Sequence, residues 1–412
     1  MIDVVTNLHF KKDQLEEIIP LFGRINETAR SFELHYEQKT PATICLGAED
    51  FLGRRFNFAV KGTDSKLYVV YSCLIQKQVT SLMTSGMVTL EGIFERLVLQ
   101  QDPNDKYTHV SFSFDGIENV FPRQSFQVEW KEFDGPISIT KPGIEKKKIK
   151  INDELTCSII PAFSGITSSP CPEIHISQQC QVNLHINVDK NILEILLLLN
   201  RIKQYFEFLF SKEIQMTSVF FNNDIDLRKR GEVITDPILL PHTFIKPIRK
   251  GEFLYTVESA LSGLGGWLEK YDSLNRVIKI WQKTIYNTNV SDEDIFIWRC
   301  QAFELLCALT PAIDQEARRH LEKKQSNPNI KNYLIAVCEQ YGIAKAFKPY
   351  FSDVKAVRDK LTHNNPKKNV TSTQTKNSYE IVNSVLVSTM SKVVGIDCRT
   401  PMVIVTSNSK ND

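Results

Sequence analysis

Residues 180–212, CQVNLHINVDKNILEILLLLNRIKQYFEFLFSK, contain the change of hydrophobic period that decides the fold. In CQVNLHINV, apolar residues alternate with polar ones, which is typical of a β-strand with one buried face and one face in water. From Asp189 onward, apolar residues follow a wide helical face for about six turns, and Asp189 is a suitable N-cap. The pattern therefore predicts that a strand ends here and that a long, largely buried helix begins.

The sequence before this transition has the pattern of a β domain. Runs rich in Val, Ile, Phe, Tyr and Thr recur roughly every ten residues between residues 32 and 188, with turn residues between them. The run VSFSFDG, residues 110–116, alternates in the same way as the stretch quoted above. We therefore predict an antiparallel, β-sandwich-like or curled sheet in residues 1–190.

The sequence after the transition predicts a bridging region and then a helical bundle. Residues 222–251 are polar and are interrupted by three prolines, which indicates an extended segment or linker. A helix is predicted at Val257–Tyr286, broken near Gly265 and Gly266. Further helices are predicted at Asp292–Leu309, Ile313–Lys324, Ile330–Tyr341, Tyr350–Thr362 and Thr373–Val394. The fold class is therefore α+β, with a β-rich domain (1–190), a bridging helical and linker region (191–288), an all-α helical bundle (289–400) and a C-terminal tail (401–412).

The composition is that of a folded globular protein with no overall electrostatic preference. Apolar residues make up 42% of the chain and charged residues 24%, and 50 Lys plus Arg nearly balance 48 Asp plus Glu. These values exclude a disulfide mini-protein and a chain that is drawn as a whole to nucleic acid or to a membrane. The nine cysteines include no CxxC pair, and no apolar run is long enough to cross a bilayer. We therefore expect a cytoplasmic protein without a membrane partner.

Several catalytic signatures are missing from the sequence. It contains no GxxxxGK[ST] loop, no GxSxG elbow and no HExxH helix, which argues against a P-loop nucleotide hydrolase, a serine esterase and a zinc protease. His175, His185, Cys171 and Cys180 would have to converge from alternating strand faces to bind a metal, so we interpret the two histidines as half-buried strand residues. We predict no metal site and no cofactor.

The segment with the strongest chemical signal is FSDVKAVRDKLTHNNPKKN, residues 351–369. Arg358 and His363 are separated by four residues near the end of a predicted helix, since Pro366 disfavours helical geometry at the residue before it. Helical geometry offsets Arg358 and His363 by roughly 7.5 Å and 140°, whereas Asp359 and His363 form an i,i+4 pair on one face. Asp359 is therefore expected to orient the imidazole, and the histidine suits general acid or base work near neutral pH.

These residue types match the needs of metal-free RNA cleavage. The reaction requires a base for the 2′-OH, an acid for the departing 5′-oxygen and a cation at the phosphorane, and Arg358 suits the last role. One chain supplies one such histidine, so two chains must bring their His363 side chains to a shared groove in a homodimer or higher even-numbered oligomer. Lys360, Asn364 and Asn365 could contact the RNA phosphates. The alternative interpretation is that Arg358 is a solvated helix charge and that His363 caps the helix.

The helical region resembles HEPN domains, a family of nucleotide-binding helical bundles whose RNases carry an Arg followed a few residues later by a His. The resemblance is carried by DIFIWRCQAFELLCALTPAIDQEARRHL, residues 294–321, and by VRDKLTHNN, residues 357–365. The match is closest to ApeA-like anti-phage proteins, in which a β-rich N-terminal domain precedes such a bundle. The stretches LEGIFERLVL, residues 90–99, and THVSFSFDGIENVF, residues 108–121, resemble that N-terminal domain.

The resemblance implies an endoribonuclease that acts in abortive infection and stays inactive until a trigger, such as a phage-derived one, releases it. The catalytic Arg and His of the family map onto Arg358 and His363. Asp359 stands where many members have Asn, and Glu304 is expected to make a buried polar contact without a catalytic role. Two alternatives stay open: a non-catalytic HEPN module that binds nucleic acid or a partner while a β-sandwich senses a ligand, and a carbohydrate- or protein-binding β-sandwich on a helical scaffold.

Overall fold

A computed structural model of the 412-residue chain gives the fold. It describes residues 1–12, 15–37, 56–64, 66–80, 87–100, 105–114, 117, 127–130, 137–140, 147–167, 174–223, 230–236, 238–240, 257–287, 289–322, 325–363 and 370–396. These residues divide into two compact units. The first contains the described residues of Met1–Glu118, Pro122–Asn200 and Gln215–Pro247, and the second contains Arg201–Ile214 and the described residues that follow 248.

The first unit is built from antiparallel strands. They are β1 (Ile2–Lys12), β2 (Leu15–Asn26), β3 (Ser31–Glu37), β4 (Phe56–Lys61), β5 (Leu67–Thr80), β6 (Met87–Ile93), β7 (Arg96–Leu99), β8 (Lys106–Phe114), β9 (Gln127–Trp130), β10 (Ile137–Thr140), β11 (Lys147–Lys150), β12 (Leu155–Thr167), β13 (Ile174–Asn191), β14 (Met216–Asn222) and β15 (Arg230–Thr235). Among the described residues, the main sheet has the order β1-β2-β3-β6-β5-β7-β15-β14-β8-β13-β12-β11, β4 pairs with β5, and β9 pairs with β10. The expected antiparallel β domain is therefore confirmed.

Strand β5 bends the sheet because its two halves pair with different neighbours. Residues 68–71 pair with β7, whereas residues 74–80 pair with β6, and Ser72 between them has a positive φ of 58°. Val4 of β1 also forms a bridge to Gly62, just after β4. The sheet therefore curls around an apolar core. Buried members of this core include Val4, Ile25, Phe32, Val70 and Leu97.

A β-hairpin lies within the range that the sequence assigns to a bridging region. Strand β14 pairs with β15 through Phe220, Phe221 and Asn222, and both strands lie inside the main sheet, between β7 and β8. Val219, Phe221 and Val233 are buried, so the alternation of these short runs is real strand periodicity. The three prolines follow β15 instead of interrupting it, which is compatible with pairing because proline lacks the N–H that a sheet requires.

Helix α1 (Ile192–Phe210) follows β13 directly, as the change of period predicts. Its cap is Asn191 and not Asp189, which still belongs to β13. Asn191 Oδ1 accepts a hydrogen bond from the Glu194 N–H at 3.0 Å, and Glu194 Oε2 accepts one from the Asn191 N–H at 2.9 Å. This reciprocal pair satisfies two backbone donors that the first helical turn would otherwise leave unbonded, so the strand can continue to Asn191 before the helix begins.

The other helices of the described residues belong to the second unit. They are α2 (Val257–Tyr286), α3 (Asp292–Leu309), α4 (Pro311–Arg319), α5 (Ile330–Tyr341), α6 (Phe351–His363) and α7 (Ser372–Val393), with a 3-10 turn at Lys345–Tyr350. The expected C-terminal helical domain is therefore confirmed. In the described ranges no single helix meets the length and hydropathy needed to cross a bilayer, and α3 with α4 meets them only as a pair bent by 99°.

The expected break in α2 at Gly265 and Gly266 does not occur, because the helix is continuous over 30 residues. Gly266 and the nearby Gly263 allow close packing instead. A Cβ on Gly266 would lie 2.1 Å from the carbonyl oxygen of Val394, and a Cβ on Gly263 would lie 2.1 Å from Ile396 Cγ1. Glycine in a helix interior is about 1 kcal/mol less favourable than alanine. Here the absence of a side chain lets the residues that follow α7 approach α2 closely.

Candidate active site

Helix α6 carries the side chains that the sequence predicts as catalytic. Phe351, Val354 and Val357 are buried at intervals of three residues, which anchors one face of the helix in the second unit. Arg358 follows the last of these and is half-buried. The helix ends at His363, which confirms that the histidine lies in the last turn. Sequence reasoning therefore places both Arg358 and His363 on the correct element.

Arg358 is held by two carboxylates. Its Nη2 donates to Glu304 Oε2 on α3 at 3.0 Å, and its Nη1 donates to Asp359 Oδ1 at 3.4 Å. About one quarter of the Arg358 side chain remains exposed, at 26%. A guanidinium has five N–H donors, so these two hydrogen bonds leave further donors for an anion. The arrangement fixes the arginine on α6 and keeps part of it in contact with solvent.

Glu304 links three helices at this point. Its carboxylate pairs with Arg358 on α6 and also accepts a hydrogen bond from the backbone N–H of Ile330, the first residue of α5. Burial raises the pKa of Glu304, and the opposing effects of Arg358 and the Ile330 N–H do not cancel that rise. Burial lowers the pKa of Arg358, but the two carboxylates outweigh it and leave this pKa raised. Glu304 thus makes the expected polar contact, with Arg358 as its partner, but its side chain is half-buried and not fully buried.

The other predicted site residues differ from Arg358 in exposure and in their contacts. His363 is exposed at the end of α6, and Lys360 is half-buried one residue after Asp359. Asp359 has 21% of its side chain exposed and forms an ion pair with Arg358. Its expected role in orienting His363 stays a prediction. Asn364 and Asn365 lie outside the described residues.

The arrangement provides an anion-binding group and a proton-transfer group on one short helix. Because α6 is helical from Arg358 to His363, the two residues are offset by about 7.5 Å along the axis and point in different directions around it. One chain therefore presents an exposed imidazole and a partly exposed guanidinium on the same helix, on different sides of its axis.

We expect Glu304→Gln to change the pH dependence of stability. Burial raises the pKa of Glu304, so the folded protein binds this proton more tightly than the unfolded chain does. The free energy of unfolding should therefore fall as the pH rises from below the ordinary value of 4.5 through the raised pKa, and Glu304→Gln should remove this component. Urea unfolding between about pH 4 and pH 7 would measure it. Glu269→Gln, which removes an exposed charge from α2, is the control, and parallel profiles for wild type and Glu304→Gln would contradict the prediction.

A second polar cluster of this unit lies between α4 and α5. Ligand atoms of Glu316, His320 and Glu339 lie within 4.8 Å of one another, a spacing that a metal ion could use. However, Glu316 Oε2 is 2.7 Å from Arg319 Nη1, and Glu339 Oε1 is 3.4 Å from Lys348 Nζ. His320 Nε2 is 2.9 Å from Glu339 Oε2. These ion pairs already explain the cluster, so we assign it no metal.

Sequence reasoning missed a histidine pair in the first unit. His185 Nδ1 lies 3.0 Å from His109 Nε2, on strands β13 and β8, and both residues are half-buried. The half-buried position expected for His185 is confirmed. The signal that could have found the pair is the alternation of both strands, which places each histidine on the polar face, although the register that joins them is not visible in the sequence.

Comparison with known proteins identifies the region that contains the sheet. Residues 2–252, more than half of the chain, match the family described as ApeA N-terminal domain 1. No curated protein and no solved structure matches the chain. The match covers the β-strands and α1, whereas α6 and its arginine and histidine lie outside it.

Proposed function

The chain belongs to the ApeA family of anti-phage defence proteins, and from this premise we propose that its helical unit is a HEPN-type endoribonuclease that cuts RNA in abortive infection. The β unit would then sense infection or regulate the nuclease. The active form is a homodimer or a higher even-numbered oligomer. Each RNA cut requires His363 from two chains and no metal ion.

The proposed reaction is an internal transfer of the RNA phosphate. One His363 removes the proton from the 2′-OH, and the 2′-oxygen forms a bond to phosphorus. The bond from phosphorus to the 5′-oxygen breaks, and the second His363 donates a proton to that oxygen. Arg358 stabilises the extra negative charge of the phosphorane. The products are a 2′,3′-cyclic phosphate and a 5′-hydroxyl end, with the two histidines left in exchanged protonation states.

The observation that supports this proposal is the exposure of His363 at the end of α6 while Arg358 is fixed on the same helix by Glu304. An exposed imidazole can meet its copy across a two-fold axis, whereas a buried one could not. A fixed guanidinium needs little reorganisation when the phosphorane forms.

The test is digestion of total RNA by the purified full chain in the presence of EDTA, followed by chemical mapping of the new ends. We expect cyclic-phosphate and 5′-hydroxyl ends, at a rate that excess EDTA does not lower. His320→Ala is a matched control, because His320 also terminates a helix of this unit, α4, and is outside the proposed site. Two results would contradict the proposal. One is that the wild-type protein does not cleave RNA, and the other is that His320→Ala loses cleavage to the same extent as His363→Ala.

A second candidate function is RNA or partner binding without cleavage. It is favoured by the two ion pairs of Arg358, since an arginine held by Glu304 and Asp359 can be a structural element of the bundle. In that case the purified protein would retain RNA while the end mapping detects no cyclic phosphate.

A further inference from the structure

The first unit has a polar sheet face that the proposed nuclease does not use. On β8, β12 and β13, residues that alternate with the buried core positions point to the opposite face. Pairing aligns them across strands: Lys148 lies opposite Ser158, Ser158 opposite Asn183, and Asn183 opposite Ser111. A neighbouring row aligns Thr156, His185 and His109 in the same way. Two rows of polar side chains therefore lie side by side on this face.

These rows line a cavity of about 460 Å³. Its described lining consists of His109, Lys148, Thr156, Ser158, Asn183, Leu184 and His185. This set contains one ammonium group, two imidazoles, two hydroxyls and one amide, and no carboxylate among the described residues. The described part of the lining therefore offers groups that can donate hydrogen bonds to an anion, together with the positive charge of the exposed Lys148 on β11.

Hydrogen bonds behind the cavity orient these donors. Ser111 Oγ donates to Asn183 Oδ1, which leaves the amide NH₂ of Asn183 to donate. Thr108 Oγ1 lies 3.1 Å from His109 Nδ1, and His109 Nε2 lies 3.0 Å from His185 Nδ1. When the Thr108 hydroxyl donates, His109 carries its proton on Nε2 and donates to His185, so that His185 carries its proton on Nε2.

We propose that this cavity binds a phosphate-bearing small molecule of about nucleotide size. A phosphate group provides several acceptor oxygens and a negative charge, which match the ammonium of Lys148, the hydroxyls of Ser158 and Thr156, and the amide NH₂ of Asn183. The volume of about 460 Å³ falls in the range of small-molecule sites and leaves space beyond one phosphate. The site lies in the β unit and does not depend on RNA cleavage by α6.

The test is isothermal titration of the full chain carrying His363→Ala, so that an RNA probe would not be cleaved. The probes are AMP, glucose 6-phosphate, inorganic phosphate and adenosine, at a salt concentration of about 0.15 M that screens long-range attraction. We expect saturable binding of at least one phosphate probe, and binding of adenosine weaker than that of AMP by about tenfold or more. Saturable binding of adenosine with the same affinity as AMP, or no binding of any phosphate probe, would overturn the proposal.

Two lysines of one strand give a matched pair of variants. Lys148→Ala removes the charge that lines the cavity, and should lower the affinity for the phosphate probe by about tenfold or more. Lys150→Ala removes the same charge two residues away, where Lys150 pairs with Asp153 at 2.7 Å and does not line the cavity, and should change affinity by less than about threefold.

A third variant and an RNA probe distinguish a phosphate site from general attraction to the sheet surface. Ser158→Ala, a smaller change, should also weaken binding, and unchanged unfolding midpoints would show that the variants fold. Equal losses in both lysine variants would indicate unspecific surface attraction and overturn the proposal. Binding of a short single-stranded RNA without any phosphate probe would do the same, because it would make the face an RNA track.

Discussion

His363→Ala is expected to abolish RNA cleavage and growth arrest on overexpression while the fold is retained. A single general acid or base contributes about 10²–10⁴-fold to a rate, and each proposed site would lose both of its proton-transfer groups in the variant. The rate of cyclic-phosphate end formation should therefore fall by at least about 10³-fold. His363 is exposed at a helix end, so its truncation should change the free energy of unfolding by less than about 0.5 kcal/mol.

Arg358→Ala should also abolish cleavage, but it requires a stability control. Its removal leaves Glu304 half-buried without the cation that now lies 3.0 Å away. Arg358→Lys keeps the charge and loses the planar pair of donors, so it should retain the fold and still lose about 10²-fold or more in rate. Circular dichroism and the unfolding midpoint would verify the fold of each variant. Normal cleavage by His363→Ala or by folded Arg358→Lys would refute the assigned site.

Mixed oligomers test whether one site uses two chains. Wild-type and His363→Ala chains with different tags can be co-expressed, and the dimers that carry both tags can be isolated. If two imidazoles act on one phosphate, mixed dimers should have a small fraction of wild-type activity. When equal amounts of the two chains pair at random, only about one quarter of the dimers contain two wild-type chains and should be fully active. Half of the wild-type rate in mixed dimers would show that each chain cleaves alone.

Lys203→Met is expected to have the largest effect on stability. Lys203 and Glu207 form an i,i+4 ion pair on α1 with side chains only 3% and 0% exposed. Glu207 also accepts hydrogen bonds from Gln282 at 3.2 Å and from the Tyr286 hydroxyl. Removing the lysine leaves a buried carboxylate with uncharged donors, which typically costs about 3–5 kcal/mol. Denaturant unfolding should show this loss as a lower midpoint with an unchanged slope.

A double variant distinguishes the cost of an unpaired charge from the cost of lost packing. Lys203→Met combined with Glu207→Met removes both charges, and replacement of a buried pair by apolar residues is often close to neutral. The double variant should therefore recover most of the stability that Lys203→Met loses. Arg201→Met is the matched control, because its ion pair with Asp272 is exposed and should contribute at most about 1 kcal/mol. A loss in Lys203→Met no larger than in Arg201→Met would contradict this account.

The helices could be predicted closely because their signals are local. Val257–Tyr286, Asp292–Leu309 and Ile330–Tyr341 have the predicted bounds. Ser291 caps α3 by accepting a hydrogen bond from the Asp294 N–H. A cap and a 3.6-residue period depend on residues within a turn or two, so they are readable in the sequence. The break predicted in α2 was wrong because Gly266 lies against Val394, which is distant in the sequence.

The predicted site was recovered only in part for a related reason. The spacing of Arg358 and His363 on one helix follows from sequence, whereas the partner of Arg358, Glu304, is 54 residues away. The histidine pair of β8 and β13 spans 76 residues and depends on a register that shifts between His185 and Lys190. A register cannot be derived from alternation, since alternation assigns a face but not an opposite residue.

The sequence by itself determined that strands change to a helix close to Asp189, that the sheet of the first region is antiparallel, and that the arginine and histidine lie on one helix that ends at His363. Only the tertiary structure decided which carboxylate holds Arg358, which strands lie side by side and which polar residues share a cavity. The physical reason is range: backbone hydrogen bonds in helices and caps join near neighbours, whereas sheet pairing and buried ion pairs join residues that only the folded chain brings together.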